Sequence, residues 1–97
     1  MVSWYGRNFH GRKTASGELY NMHELTAAHR SLPFGTRVRV TCPTTEKSVS
    51  VRINDRVPYA DGRIIDLSYQ AARELGFVQK GTAAVEINLL ERAPASE

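Results

Sequence analysis

The sequence predicts a small, mainly β domain with a single helix, and three observations carry that prediction. Short segments of alternating apolar and polar residues recur along the chain, each bounded by glycine, proline or another turn former. Only one stretch has helical spacing instead. At 97 residues there is room for one domain with one modest core.

The elements follow in chain order. Val2–Tyr5 reads as a strand ended by Gly6, and the polar stretch 7–17, with Gly11 and Gly17, as a long loop. Residues 25–28 are short and apolar, after which Pro33 and Gly35 mark a turn. Residues 36–41 alternate cleanly, so Arg37 and Arg39 share one face. Residues 46–54 alternate again, with Val49, Val51 and Ile53 on one face and Ser50, Arg52 and Asn54 on the other. A short strand is expected at 63–67. Ser68 is a good helix N-cap, Ala71, Ala72 and Leu75 have helical spacing, and Gly76 suits a left-handed stop. These residues place the helix at about 69–75. The last strand is expected at 83–90, with Val85, Ile87 and Leu89 in register. Residues 1–91 then form the domain, and 92–97 a frayed tail.

Composition narrows the function less than the pattern narrows the fold. The net charge of +3 favours anionic partners, among them nucleic acid, acidic glycans and anionic lipid. The arginines are dispersed, with no run of five like charges, which is also what an ordinary solvated surface shows. Cys42 is the only cysteine, so no internal disulfide forms. His10, His23 and His29 show none of the short paired spacings of a zinc site, and neither a metal nor a cofactor is expected. No apolar run approaches the roughly 20 residues that cross a bilayer. No basic start followed by an apolar stretch marks a signal peptide, so the chain reads as cytoplasmic or as a domain of something longer.

Three polar loops hold the residues that can carry chemistry: 14–21 leading into 25–29, then 52–56, then 61–68. Each brings a carboxylate to or near a strand end, and a closed barrel would let those ends converge. Glycosidic cleavage needs a carboxylic acid that keeps its proton near neutral pH, and a second group to steady the oxocarbenium-like transition state. Glu18, Asp55 and Asp66 are the candidate acids, with His29 to polarise or orient one of them. Each has an ordinary alternative. Glu18 could be a plain loop residue, Asp55 a partner of Arg52 or Arg56, Asp66 a favourable charge at the helix N-terminus, and His29 a hydrogen-bonded core histidine. Trp4, Tyr5, Phe9, Tyr20 and Tyr59 concentrate in or near the loops, where they could line a glycan groove or cap the core.

Five ordered blocks carry a resemblance to a known family. They are Ser3-Trp4-Tyr5-Gly6 with Phe9-His10-Gly11-Arg12; Thr14-Ala15-Ser16-Gly17-Glu18 with Leu25-Thr26-Ala27-Ala28-His29-Arg30; Leu32-Pro33-Phe34-Gly35-Thr36-Arg37-Val38-Arg39-Val40; Val51-Arg52-Ile53-Asn54-Asp55-Arg56; and Gly62-Arg63-Ile64-Ile65-Asp66-Leu67-Ser68. Together they resemble the rare lipoprotein A family over nearly the whole chain. The resemblance implies a six-stranded double-psi β-barrel and lytic transglycosylase activity on peptidoglycan, preferentially on strands stripped of stem peptides. Glu18 matches the family's catalytic glutamate and His29 its catalytic histidine, eleven positions apart. Where the family often has an aspartate three positions after the glutamate, this chain has Asn21, which cannot ionise. Asp66 lies in a block that also resembles expansins and is taken as the second carboxylate. The resemblance further implies substrate contacts at Trp4, Tyr5, Ser16, Tyr20, Asn21, Asn54, Asp55 and Arg56. It implies a place in the bacterial cell envelope, with the targeting segment outside this chain, and peptidoglycan glycan rather than nucleic acid as partner; a monomer is expected. The alternative is an expansin-like module that holds or loosens glycan without cutting it.

Overall fold

The computed structural model describes residues 2–5, 10–56, 65–79 and 82–91. Its strands are β1 (Val2–Tyr5), β2 (Thr26–His29), β3 (Arg37–Cys42), β4 (Lys47–Asp55), β5 (Ile65–Ser68), β6 (Thr82–Ala83) and β7 (Glu86–Glu91), with one helix, α1 (Tyr69–Leu75), after β5. They form a single sheet in the order β6-β1-β5-β2-β4-β3-β7. Two pairs are parallel, β1 with β5 and β2 with β4, and an antiparallel β2–β5 contact joins them.

This order requires the sheet to close. β6 and β7 stand at opposite ends of it, yet only Ala84 and Val85 separate them in sequence. Laid flat, the ends of such a sheet would lie roughly 29 Å apart at the usual strand spacing. The short connection reaches about 11 Å at full extension. The sheet therefore curls into a barrel.

The expected mainly β architecture with one helix is what the chain adopts, but the expected six strands become seven among the described residues. The last run, expected as one strand, divides at Ala84 and Val85: β6 pairs with β1, while β7 pairs with β3. Leu89, expected in register with Val85 and Ile87, is 53% exposed on β7, the end strand of the sheet order among the described residues. The expected tail 92–97 lies outside the described residues.

The core is built as the alternation requires. Val38, Val40 and Cys42 of β3 and Val49, Val51 and Ile53 of β4 are buried against Ala27, Ile65 and Leu67, while Arg37 and Arg39 face outward. Helix α1 adds Ala71, Ala72 and Leu75. Its N-terminus is fully capped. Ser68 Oγ accepts the Ala71 N–H at 3.3 Å, the Tyr20 hydroxyl accepts that of Tyr69 at 3.1 Å, and the Met22 carbonyl accepts that of Gln70 at 3.0 Å. These are donors a helix start otherwise leaves unmet. At the other end Gly76 takes the left-handed conformation (φ 86°), its N–H reaching the Ala72 carbonyl at 2.9 Å. Among the described residues no helix is long and apolar enough to cross a membrane.

Candidate active site

A tight hairpin delivers Glu18. Gly11 donates to the Tyr20 carbonyl at 2.8 Å, Tyr20 to Arg12 at 2.7 Å and Thr14 to Glu18 at 2.7 Å, with Gly17 at φ 98° making the reversal. The hydroxyls tighten the tip: Thr14 Oγ1 donates to the Glu18 carbonyl at 2.8 Å and lies 2.9 Å from Ser16 Oγ. The tip is then tethered to the end of β4. Ser16 N–H reaches the Asn54 carbonyl at 3.3 Å, and Ala15 N–H reaches Asp55 Oδ1 at 2.9 Å.

β4 can meet the hairpin because its alternation is interrupted. Ala27 stands opposite Ile53 but Ala28 opposite Asp55, leaving Asn54 as an extra residue. Such a bulge re-aims side chains without breaking the strand. Here Arg52, Asn54 and Asp55 all turn to one loop. Arg52 forms a two-pronged ion pair with Glu18, Nη1 to Oε2 at 2.7 Å and Nη2 to Oε1 at 3.0 Å, and Asn54 Nδ2 donates to Oε1 at 3.0 Å.

This clamp sets the charge of Glu18. The Arg52 hydrogen bond holds the carboxyl below its ordinary range; partial burial pushes the other way, and the Asn54 hydrogen bond and Arg52 charge add to the lowering. Arg52 is raised in turn, chiefly by its hydrogen bond to Glu18. The free domain therefore holds Glu18 as a carboxylate, not as the resting acid that glycosidic cleavage suggested. Its side chain remains 39% exposed, so a ligand can still reach it.

His29 closes β2. Its Nδ1 accepts the backbone N–H groups of Ser31 at 3.0 Å and Leu32 at 3.1 Å. With both donors aimed there, the neutral ring carries its proton on Nε2. Burial lowers its pKa, and the nearby charges of Arg56 and Arg30 lower it further. His29 is thus a neutral Nε2–H donor with its other nitrogen committed to the turn.

The other acids flank β2. Ala28 pairs with Asp55 on β4 and with Asp66 on β5. Residues directly opposite share a face, so the two carboxylates stand on either side of a small alanine, roughly 10 Å apart at their backbones. Asp66 lies two positions before the Ser68 cap and no acid occupies the first helical turn, so the helix-terminus alternative for Asp66 does not apply. Asp55 pairs with neither guanidinium side chain; its Oδ1 accepts the Ala15 and Arg56 backbone N–H groups.

Three expected substrate contacts are committed elsewhere, among them Asn54, which is 1% exposed with its Nδ2 on Glu18. Tyr20, expected on a glycan groove, is 2% exposed, burial raises its pKa, and its hydroxyl serves the helix start. Asn21 is half-buried, and its Oδ1 accepts the His23 N–H at 2.9 Å in a local turn. The side chains of Trp4 and Tyr5, and all of Phe9, Tyr59 and 61–64, lie outside the described residues. Two residues were missed as site members. The alternation of β4 puts Arg52 on one face with Asn54, but at the sequence level its only expected partner is Asp55. Phe34, 37% exposed, has the Arg56 guanidinium carbon 4.1 Å from its ring centre.

Fold and site together define a small closed β-barrel with a clamped carboxylate and a histidine at the rim. Residues 1–87 match the model of a double-psi β-barrel family described as "Lytic transglycolase", and the chain belongs to that family. It is 54% identical over 89 residues to the endolytic peptidoglycan transglycosylase RlpA of Vibrio cholerae, covering 92% of this chain and 34% of that protein. The Neisseria meningitidis serogroup A protein of the same name is 53% identical over 99 residues, covering 99% and 41%. The chain thus spans well under half the length of these relatives. Among solved structures, the Streptomyces papain inhibitor superposes with a TM-score of 0.72 over 93% of this chain and 90% of its own, at 19% identity, a likeness of fold.

Proposed function

We propose that this domain cleaves peptidoglycan glycan strands as an endolytic lytic transglycosylase, in the bacterial cell envelope and preferentially on strands without stem peptides. The observation that carries this reading is the Glu18 carboxyl, aimed by Arg52 and Asn54 yet open to a ligand, on a hairpin tethered to Asp55. The names of the relatives support the same activity.

The chemistry follows from what a sugar does to the clamp. Covering Glu18 strips water from it, and lost hydration favours the neutral carboxyl against the pull of Arg52. Protonated Glu18 then gives its proton to the bridging oxygen as the muramic C1–O bond breaks, and the departing sugar leaves with a hydroxyl. The muramic C6 hydroxyl closes onto C1, its proton returns to Glu18, and a 1,6-anhydro ring forms without water. His29 Nε2–H offers a hydrogen bond to a substrate oxygen. Asp66, as second carboxylate, favours positive charge developing at C1.

One observation favours a glycan-holding module instead: an ion-paired carboxylate has no proton to give. Digestion of peptide-free peptidoglycan followed by mass spectrometry decides between them. Release of 1,6-anhydromuramic products is the expected result; a folded sample that binds strands but releases none leaves the holding role.

A further inference from the structure

Arg56 ends the described part of β4's site, and its surroundings differ from those of Arg52. Arg52 is spent on Glu18. Arg56 is exposed and lies over the face of Phe34, one of four large exposed apolar side chains among the described residues. Its side chain's one hydrogen bond among the described residues runs from Nη1 to the Asp55 carbonyl at 3.3 Å, and no carboxylate there forms an ion pair with the guanidinium. A guanidinium lying on a ring keeps its N–H groups at its periphery, where they can grip a planar anion with two parallel bonds. The pair sits beside the chemistry: Arg56 follows Asp55 directly and lies close enough to His29 for its charge to act on the imidazole.

We infer that the Arg56–Phe34 pair is a subsite for a carboxylate on the glycan, namely the lactyl carboxylate of N-acetylmuramic acid. This inference rests on the peptidoglycan reading above. The lactyl group is the only carboxylate of the bare disaccharide repeat, and it becomes a neutral amide wherever a peptide is attached. Phe34 backs the guanidinium and offers its exposed part to a sugar's C–H face. Arg56 thereby distinguishes a free lactyl group from a substituted one by charge.

The test uses peptide-free glycan strands, the same strands with lactyl carboxylates converted to primary amides, and uncharged chitin oligomers. Binding is measured by calorimetry and cleavage by product release. The wild-type domain is expected to favour carboxylate strands over amidated ones by about tenfold or more, with the gap narrowing as salt rises. Arg56→Gln should lose that preference by weakening only the carboxylate arm, and Arg56→Lys should keep part of it. Phe34→Leu, which preserves apolar cover but removes the ring, should fall between wild type and Arg56→Gln. Equal wild-type affinity for carboxylate and amidated strands overturns the inference while leaving the glycan reading intact. Equal loss on both substrates in a folded Arg56→Gln assigns Arg56 to structure and overturns it too. No binding or cleavage of any strand overturns both.

Discussion

Between Val49 and Ile53, β4 sends every second side chain into the core, whereas at Asn54 and Asp55 the same strand turns consecutive residues toward a loop. The first half obeys the sheet's period of two, and each apolar residue there is set by burial. The second half obeys the bulge, and its residues are set by what they hold: Asn54 holds Glu18, and Asp55 holds the hairpin tip. One added residue separates a stretch that stabilises the barrel from a stretch that serves its rim. Substitutions on either side of the bulge should therefore fail in different assays.

The largest effect is expected at the residue the rim half holds. Glu18→Gln should lower release of anhydro products by about 10²–10⁴-fold, the range for loss of a positioned acid–base group. Its stability should change by no more than about 1 kcal/mol, because both partners of the ion pair it breaks are more than a third exposed to solvent. A melting temperature lowered by much more than about 8 °C would instead make Glu18 a structural residue. Ile53→Ala, one position before the bulge, should show the reverse. It removes a fully buried side chain and should cost about 2–5 kcal/mol in denaturant unfolding. If Ile53→Ala leaves stability unchanged, the proposed division of β4 is wrong.

Arg52 bridges the two halves and sharpens the comparison. In Arg52→Ala, Glu18 loses the main influence holding it ionised, so its pKa rises. The alkaline limb of the kcat/KM profile should move to higher pH even as the maximal rate falls, with Arg52→Lys intermediate. The sign for stability is also set. Glu18's folded pKa is depressed, so its clamp contributes above the unfolded carboxyl value of about 4.3 and is lost as pH falls through the lower folded value. Arg52→Ala should remove that part of the acid sensitivity. An unmoved pH profile would leave Arg52 merely a tether.

How much of this was legible depends on how local the signal was. The alternation of Val38, Val40, Val49, Val51 and Ile53 and the caps at Ser68 and Gly76 are encoded within a few residues, and the structure follows them. The split at Ala84 and Val85 carries no local mark, since both residues continue the apolar run; only closure of the barrel requires it. Tyr20 was misread because an aromatic in a polar loop looks available, whereas the loop folds back over the start of α1. Arg52's choice of Glu18 over Asp55 joins residues 34 positions apart. It depends on a hairpin arriving from outside the strand. Glu18 and His29 were legible as residues, but the carboxylate's charge was not, because it belongs to the clamp.

Asp66 offers a smaller test, on the far side of Ala28 from Asp55. Asp66→Asn should reduce turnover while costing at most about 1 kcal/mol, since the residue is half-buried on a strand rather than packed in the core. Unchanged turnover on peptide-free strands would remove Asp66 from the site and leave Asp55 as the carboxylate nearest the hairpin.

The smallest effect concerns His29, and its direction separates a fixed neutral donor from a titrating base. Burial and the charges of Arg56 and Arg30 lower its pKa in the folded domain, so between that value and about 6.5 the unfolded chain binds the extra proton. Stability from this site is complete above about pH 6.5 and declines as pH falls through the folded value. Solvent screening at a half-exposed ring limits the change to less than about 1 kcal/mol. His29→Asn keeps an acceptor for the Ser31 and Leu32 N–H groups but cannot titrate. Comparing melting temperatures of the two proteins across pH 5–7 should show a shallower decline in the variant. If the slopes coincide, or the wild type gains stability on acidification, the histidine is not held neutral by its burial and the charges of Arg56 and Arg30.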